Sequence, residues 1–122
     1  MDIYTETILD HYQHPHHTGA LNDATVSATE HNPLCGDVIK LDLKIKNNVV
    51  EKIGFVGNGC AISQASISLL CDAVEGKKIS SLKKLKPKDI YDLLGVTISP
   101  GRIKCALLGL SALQKALKLT KN

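Results

Sequence analysis

Residues 39–46 alternate strictly between aliphatic and charged side chains, and this alternation constrains the fold more than any other feature. The aliphatic positions are Ile39, Leu41, Leu43 and Ile45, and the charged positions are Lys40, Asp42, Lys44 and Lys46. A period of two predicts a β-strand with its aliphatic side chains in a core and its charged side chains in water. Asn47-Asn48 follows, and because asparagine tolerates left-handed backbone angles, the pair predicts a tight turn. Residues 49–56 are then the partner strand, and a weaker strand over 25–30 completes a small antiparallel sheet.

The remainder of the chain has helical periodicity. Helices are predicted over residues 2–13, 61–74 and 102–118, with a shorter helix that begins near Pro87 and ends at Gly95. Strands followed by helices indicate an α+β domain, with the helices packed on one face of the sheet.

Two tyrosines of the first predicted helix are expected in the core. Tyr4, Ile8 and Tyr12 recur at steps of four, which places them on one stripe of that helix. An apolar stripe of this kind normally packs against the rest of the domain.

Length and composition exclude several classes of protein. The 122 residues contain no repeat or linker, so one domain spanning residues 1–122 is expected. No apolar run approaches the roughly 20 residues that cross a membrane. A net charge of +3 and only four aromatic residues (one Phe, three Tyr) argue against a nucleic-acid partner. The N-terminal residues do not resemble a signal peptide, so a cytoplasmic location is expected. In that reducing compartment, cysteines indicate metal or sulfur chemistry rather than disulfides.

Three of the four cysteines and one aspartate occur in loops or at helix starts, where side chains can converge. They are Cys35, Asp37, Cys60 and Cys105. Three thiolates and a carboxylate can complete a tetrahedral zinc site or hold a small iron–sulfur cluster. The chain has no C-x-x-C pair, so spacing alone leaves open the alternative that these cysteines are small core residues.

Two of these thiols have surroundings that favour the thiolate. Cys60 follows Gly57-Asn58-Gly59 and begins a predicted helix, where free backbone N–H groups and the helix dipole stabilise negative charge. Cys105 lies in the first turn of the last helix beside Arg102 and Lys104, whose positive charges act in the same direction.

Four motifs occur together in this chain. They are Asp10-His11-Tyr12 with Pro15 and Gly19, Asn32-Pro33-Leu34-Cys35-Gly36-Asp37, Gly57-Asn58-Gly59-Cys60-Ala61-Ile62-Ser63-Gln64-Ala65-Ser66, and Arg102-Ile103-Lys104-Cys105. In this order they resemble the U-type iron–sulfur cluster assembly scaffolds, the family of IscU, SufU and the N-terminal domain of NifU. The resemblance covers nearly the whole chain and implies a SufE/NifU-like fold, a three-stranded antiparallel sheet with about five helices packed against it.

The resemblance also implies a function and a set of site residues. Cys35, Asp37, Cys60 and Cys105 would hold zinc in the resting protein or a transient [2Fe–2S] cluster. The protein would accept sulfur from a cysteine desulfurase, assemble a labile cluster and pass it to recipient apoproteins. Cys35 and Cys105 are the candidate persulfide acceptors, supported by Arg102 and Lys104. Such a protein is a scaffold or sulfur carrier more than a true enzyme.

The motifs mix two branches of this family. Arg102-Ile103-Lys104-Cys105 resembles the SufU branch, whose zinc-dependent sulfurtransferases activate a desulfurase, so this function is the main alternative. That branch usually has an insertion between the second and third cysteines, and the 45 positions from Cys60 to Cys105 leave no room for it. Residues 98–102, Ile-Ser-Pro-Gly-Arg, stand where the other branch has Leu-Pro-Pro-Val-Lys, which argues against delivery by a dedicated Hsp70 chaperone. A structural zinc or redox module without sulfur transfer is the third alternative.

The sequence assigns no metal-binding role to the fourth cysteine or to the histidines, although both residue types can bind metals. Cys71 lies three helical turns from Cys60, about 16 Å along the axis, so it is expected as a core thiol. His31 could orient the site or cap a strand, and the second interpretation is preferred. The remaining histidines surround Pro15, without a cysteine or an acid at ligand spacing, so no native metal site is predicted there. They are His11, His14, His16 and His17.

Overall fold

A three-stranded sheet and five α-helices make up the part of the chain that the structure describes. The structure is a computed structural model that describes residues 3–33 and 36–120, with side chains from Thr5 onward. The elements are α1 (Ile3–Gln13), β1 (Val26–Asn32), β2 (Asp37–Lys46), β3 (Val49–Asn58), α2 (Ala61–Val74), α3 (Ile79–Leu82), α4 (Pro87–Leu94), a 3-10 turn (Pro100–Arg102) and α5 (Ile103–Leu119). The predicted α+β class, with three antiparallel strands and about five helices, is confirmed.

The sheet is an antiparallel meander in the order β1-β2-β3. Asn47 and Asn48 connect β2 to β3 with φ angles of 54° and 62°, as predicted for a tight turn of two left-handed residues. Leu41 pairs with both Ala28 and Phe55 across the sheet, and all three side chains are buried. This face of the sheet is therefore the floor of the core.

Helices α2 and α5 cover that face and pack tightly against each other. A Cβ atom at Gly109 of α5 would lie 2.7 Å from Cδ1 of Ile67 on α2. The glycine therefore permits a close approach of the two helices. This packing places the first turns of α2 and α5 side by side, at the end of the sheet where β2 begins.

The prediction that Asp42 points into water is wrong, because its carboxylate is buried with 1% exposure. The Leu21 N–H donates to Oδ2 at 3.1 Å, and the Ser27 hydroxyl donates to Oδ1 at 2.6 Å. The segment between α1 and β1 thus covers the second face of the sheet at this point, and it supplies a partner for the buried charge.

The prediction of a buried Tyr12 is also wrong, because its side chain is 45% exposed. The neighbouring His11 is buried instead, and it reaches Ser68 on α2. Ile8 is buried as expected, whereas the side chain of Tyr4 lies outside the described part of the structure. The face of α1 that packs on α2 therefore contains Ile8 and His11, and not the predicted stripe of Ile8 and Tyr12.

Among the described residues, no helix is both long and apolar enough to cross a membrane.

Candidate metal centre

Asp37, Cys60 and Cys105 meet at one end of the sheet. Asp37 is the first residue of β2, Cys60 is the N-cap of α2, and Cys105 lies in the first turn of α5. Their ligand atoms, one from each side chain, all lie within 4.8 Å of one another. A single metal ion can contact all three after small side-chain adjustments, since ligands of a tetrahedral ion bonded at about 2.1–2.3 Å are separated by less than this.

Pairing of β2 with β3 positions two of these residues. Val38 pairs with Asn58 at the end of the ladder, so the chain leaves β3 beside the start of β2 and turns into α2. A Cβ atom at Gly59 would overlap the Ser63 hydroxyl and approach Cγ of Asp37 to 3.3 Å. The glycine therefore leaves room for the side chains of Ser63 and Asp37 beside Cys60.

The carboxylate of Asp37 is buried, and one of its oxygen atoms has no hydrogen-bond partner among the described residues. Its side chain is 4% exposed, and its Oδ2 atom has no hydrogen-bond partner among the residues that the structure describes. A buried carboxylate oxygen without a partner carries a desolvation cost, and a bound cation is one of the ordinary ways to offset that cost. The oxygen therefore fits a position that a metal ion would satisfy.

Hydrogen bonds at the start of α2 favour ionisation of Cys60. Burial by itself would raise the pKa of Cys60. The thiolate also accepts hydrogen bonds from the backbone N–H and hydroxyl of Ser63, from the Cys105 thiol and from the Ile62 N–H. These hydrogen bonds outweigh burial, so the pKa of Cys60 is lowered. This is the effect expected where a helix begins with free N–H groups.

Arg102 places a positive charge at the same two thiols. Its side chain hydrogen-bonds Cys60 and interacts with the charges of both Cys60 and Cys105, so the pKa of the guanidinium is raised. The side chain is exposed at the rim of the site, and so is the neighbouring Lys104. The guanidinium can therefore compensate thiolate charge when no metal does so.

Asn32 is a site residue that the sequence analysis did not identify. Its buried side chain, at the end of β1, lies with Nδ2 3.9 Å from the sulfur of Cys105, which is itself 1% exposed. Asn32 begins the motif that contains Cys35 and Asp37, and that position was the only available signal. An amide donor next to a metal-binding thiolate is a typical outer-shell contact.

Cys35 lies outside the described residues, between Pro33 and Gly36. Gly36, which follows it, is described: its N–H donates to the Asn32 carbonyl at 2.9 Å, and it has a left-handed φ of 73°. Gly36 therefore connects Asn32 to Asp37 through a hydrogen bond on one side and the chain on the other.

The remaining candidate residues are separate from this centre. Cys71 is fully buried, and burial raises the pKa of its thiol, as expected for a core cysteine. His14 and His31 are exposed. His11, His16 and His17 instead reach the second half of α2.

The described residues form a small α+β domain with a candidate cysteine-based metal centre, and comparison with known proteins identifies its family. A family model of the NifU-like N-terminal domain matches residues 3–121. The chain therefore belongs to this family, and the predicted relationship to the U-type iron–sulfur scaffolds is confirmed.

Individual relatives cover almost the whole chain. The zinc-dependent sulfurtransferase SufU of Bacillus subtilis (strain 168) is 39% identical, over 94% of this chain and 89% of its own length. The iron–sulfur cluster assembly scaffold protein IscU of Streptococcus pyogenes serotype M1 is 38% identical, over 98% and 86%. The crystal structure of FiSufU from Fervidobacterium islandicum AW-1 superposes with a TM-score of 0.77 at 26% identity, covering 92% of this chain and 94% of that one.

Proposed function

We propose that the protein is an iron–sulfur cluster assembly scaffold, as its IscU relatives are named. In this proposal it accepts sulfur from a cysteine desulfurase, assembles a labile [2Fe–2S] cluster and transfers the cluster to recipient apoproteins. The observation that carries the proposal is that Cys60 and Cys105 converge on Asp37, a buried carboxylate with one oxygen that has no hydrogen-bond partner among the described residues. Cys35 would be the fourth ligand.

The mixed ligand set suits a cluster that is handed on. Thiolates are soft ligands that favour iron–sulfur clusters, whereas a carboxylate is harder and binds such iron less tightly. A single Asp37 among three thiolates would therefore leave one weak bond at which a recipient can begin to displace the cluster. Ferrous iron, persulfide sulfur and an external thiol reductant, which supplies the two electrons that convert each persulfide sulfur to sulfide, are substrates of this process and not resident parts of the protein.

The sulfur-accepting step needs an accessible thiolate. The thiolate would attack the terminal sulfur of the desulfurase persulfide, forming a new S–S bond while the desulfurase cysteine leaves as its own thiolate. Cys35 and Cys105 are the proposed acceptors, and Arg102 and Lys104 would attract the negatively charged groups. Because Cys105 is 1% exposed, its participation requires the start of α5 to move, whereas Cys60 is only half-buried.

The same chemistry suggests the cellular setting. Free thiols persist in reducing compartments, so we place the protein in the cytoplasm with a desulfurase and apoproteins as its partners. We assign it neither a nucleic-acid nor a membrane partner, and no dedicated Hsp70 chaperone, given the sequence of residues 98–102.

A zinc-dependent sulfurtransferase is the second candidate function, and Arg102 favours it. Zinc accepts the same thiolate and carboxylate ligands, in keeping with zinc in the resting protein. If one thiolate left the metal to accept sulfur, Arg102 is positioned to pair with the thiolate that is released. The relative from Bacillus subtilis carries this function in its name.

Anaerobic reconstitution distinguishes the two functions. The metal-free protein is supplied with ferrous iron, cysteine and a cysteine desulfurase, and it is then examined by visible absorption and metal analysis. A scaffold should acquire visible bands and about two irons per chain, the content of one [2Fe–2S] cluster. Cys60→Ala and Cys105→Ala should abolish both, while the matched core variant Cys71→Ala should retain them.

The contrary result is equally specific. A protein that stays colourless in this reconstitution, and that accelerates the desulfurase once it is reloaded with zinc, with Cys71→Ala again unaffected, would support the sulfurtransferase instead. A protein that neither forms a cluster nor accelerates the desulfurase would leave only a structural zinc or redox role.

A further inference from the structure

A second group of ligating side chains lies on α2, away from the thiols. His11 of α1, His16 of the following loop and Asp72 of α2 each offer a ligand atom, and these atoms lie within 4.8 Å of one another. We propose that these three residues form a second metal site, selective for a borderline divalent transition ion such as Zn²⁺.

The ligand chemistry supports this class of ion. Two imidazoles and one carboxylate form the donor set of many three-ligand zinc sites, in which water takes the fourth position. Calcium and magnesium are disfavoured, because they prefer oxygen ligands. His16 and Asp72 are exposed while His11 is buried, so an ion can enter from solvent and keep a water ligand.

Neighbouring groups already hold the proposed ligands in place. The His17 Nε2 atom lies 2.8 Å from Oδ1 of Asp72, so Oδ2 is left to face His16. The Nδ1 atom of His11 lies 2.6 Å from the Ser68 hydroxyl, and this contact orients the imidazole ring. The His16 backbone N–H donates to the same hydroxyl at 2.8 Å. Such outer-shell contacts orient the ligands of metal sites.

A metal ion would have to bind between His16 and Asp72, whose side chains are hydrogen-bonded to each other. Their Nδ1 and Oδ2 atoms are 2.7 Å apart and share a proton in the metal-free protein. A bound ion would replace that proton, and the two atoms would separate to the spacing of ligands around one ion. In a neutral imidazole that proton moves to the other ring nitrogen, which leaves Nδ1 of His16 free to bind the ion.

This site is distinct from the candidate metal centre. Asp72 is twelve residues beyond Cys60 on α2, which is about 18 Å along the helix axis. One ion cannot contact both groups, so loading of the thiols should leave the histidine site available.

An ion at this site would connect the N-terminal part of the chain to α2. His16 and His17 lie in the segment that pairs with β3, where the Phe55 N–H donates to the His17 carbonyl at 3.0 Å and the Gly19 N–H donates to the Phe55 carbonyl at 2.8 Å. An ion bound by α1, this segment and α2 would join three separate parts of the chain. Occupancy should therefore stabilise the fold against unfolding.

The test uses untagged protein whose thiol site has been filled with zinc, titrated with Co²⁺ and followed by calorimetry and visible absorption. We expect further binding of Co²⁺, with d–d bands but no thiolate-to-metal charge-transfer band, accompanied by a rise in Tm. His16→Ala and Asp72→Asn should abolish this binding, and His17→Ala should weaken it by about 10- to 100-fold. The exposed neighbour His14 provides the matched control, because His14→Ala should bind as the parent protein does.

Two results would overturn the site. One is an absence of Co²⁺ binding beyond the thiol site. The other is binding that His16→Ala and Asp72→Asn leave as strong as His14→Ala does. Far-UV circular dichroism, recorded before Co²⁺ is added, shows whether the variants at positions 14 and 16 are folded. A loss of folding is thereby distinguished from a loss of metal binding.

Discussion

The side-chain amide of Asn32 donates a long hydrogen bond to the sulfur of Cys105, with Nδ2 and Sγ 3.9 Å apart, although the two residues are separated by 73 positions in the chain. Asn32→Asp should weaken zinc binding by about tenfold, because it replaces a donor beside a thiolate with a second negative charge. Competition with a chromophoric chelator measures the affinity. The exposed neighbour supplies the control His31→Ala, and equal affinities for the two variants would contradict a role for Asn32 at the site.

The two buried aspartates should respond oppositely to truncation in the metal-free protein. Asp37→Ala removes a buried oxygen that has no partner in the described part of the chain, and it should raise the free energy of unfolding by roughly 1–3 kcal/mol. Asp42→Ala leaves the donors on Leu21 and Ser27 without an acceptor and should lower it by a similar amount. Urea denaturation of the apoproteins measures both, and a destabilised Asp37→Ala would contradict this account of the site.

Asp37→Ala should also lengthen the lifetime of a reconstituted cluster, since it removes the hard ligand at which displacement begins. Decay of the visible absorption after addition of an apoprotein acceptor measures the lifetime. Asp42→Ala is the matched control, because that carboxylate lies away from the thiols. A cluster lost from Asp37→Ala as fast as from the parent would argue against this role.

The thiols of Cys60 and Cys71 should differ sharply in reactivity although both are on α2. Burial raises the pKa of Cys71, and its side chain is fully buried, so at neutral pH it is protonated and inaccessible. Cys60 is half-buried and the pKa of its thiol is lowered, so it should be alkylated before Cys71 in the folded, metal-free protein. Peptide mass spectrometry after timed treatment with iodoacetamide gives the order. Modification of Cys71 at the rate of Cys60, without denaturant, would show that the core is open.

Gly57 should tolerate no side chain. A Cβ atom there would overlap the Val38 carbonyl and lie 3.0 Å from Cα of Ile39, both of which are backbone atoms of the paired strand. Gly57→Ala should therefore destabilise the protein by roughly 1–3 kcal/mol, the usual cost of overpacking. Gly101→Ala is the control, because nothing lies within 4 Å of the corresponding Cβ position. Thermal unfolding compares the two variants, and equal Tm values would contradict this packing.

The sequence determined the local elements because their causes are local. Alternation over 39–46 defines a strand whatever lies around it, and two consecutive asparagines favour the left-handed turn that the structure contains. The same holds for Cys60, since a short glycine-rich segment before a helical pattern leads to a helix N-cap. The motifs indicated which residues share a site only through their resemblance to a family, because spacing does not specify which loops meet.

The tertiary structure decided which side chains are buried and which distant groups touch. Asp42 has the alternation of a solvent-facing residue, and it is buried only because the segment after α1 folds over that face of the sheet. Tyr12 is exposed against expectation, and the neighbouring His11 is buried because α2 offers Ser68 to the histidine. Asp72 meets His16 for the same reason: contacts between residues more than fifty positions apart depend on how helices pack, and no local pattern encodes that geometry.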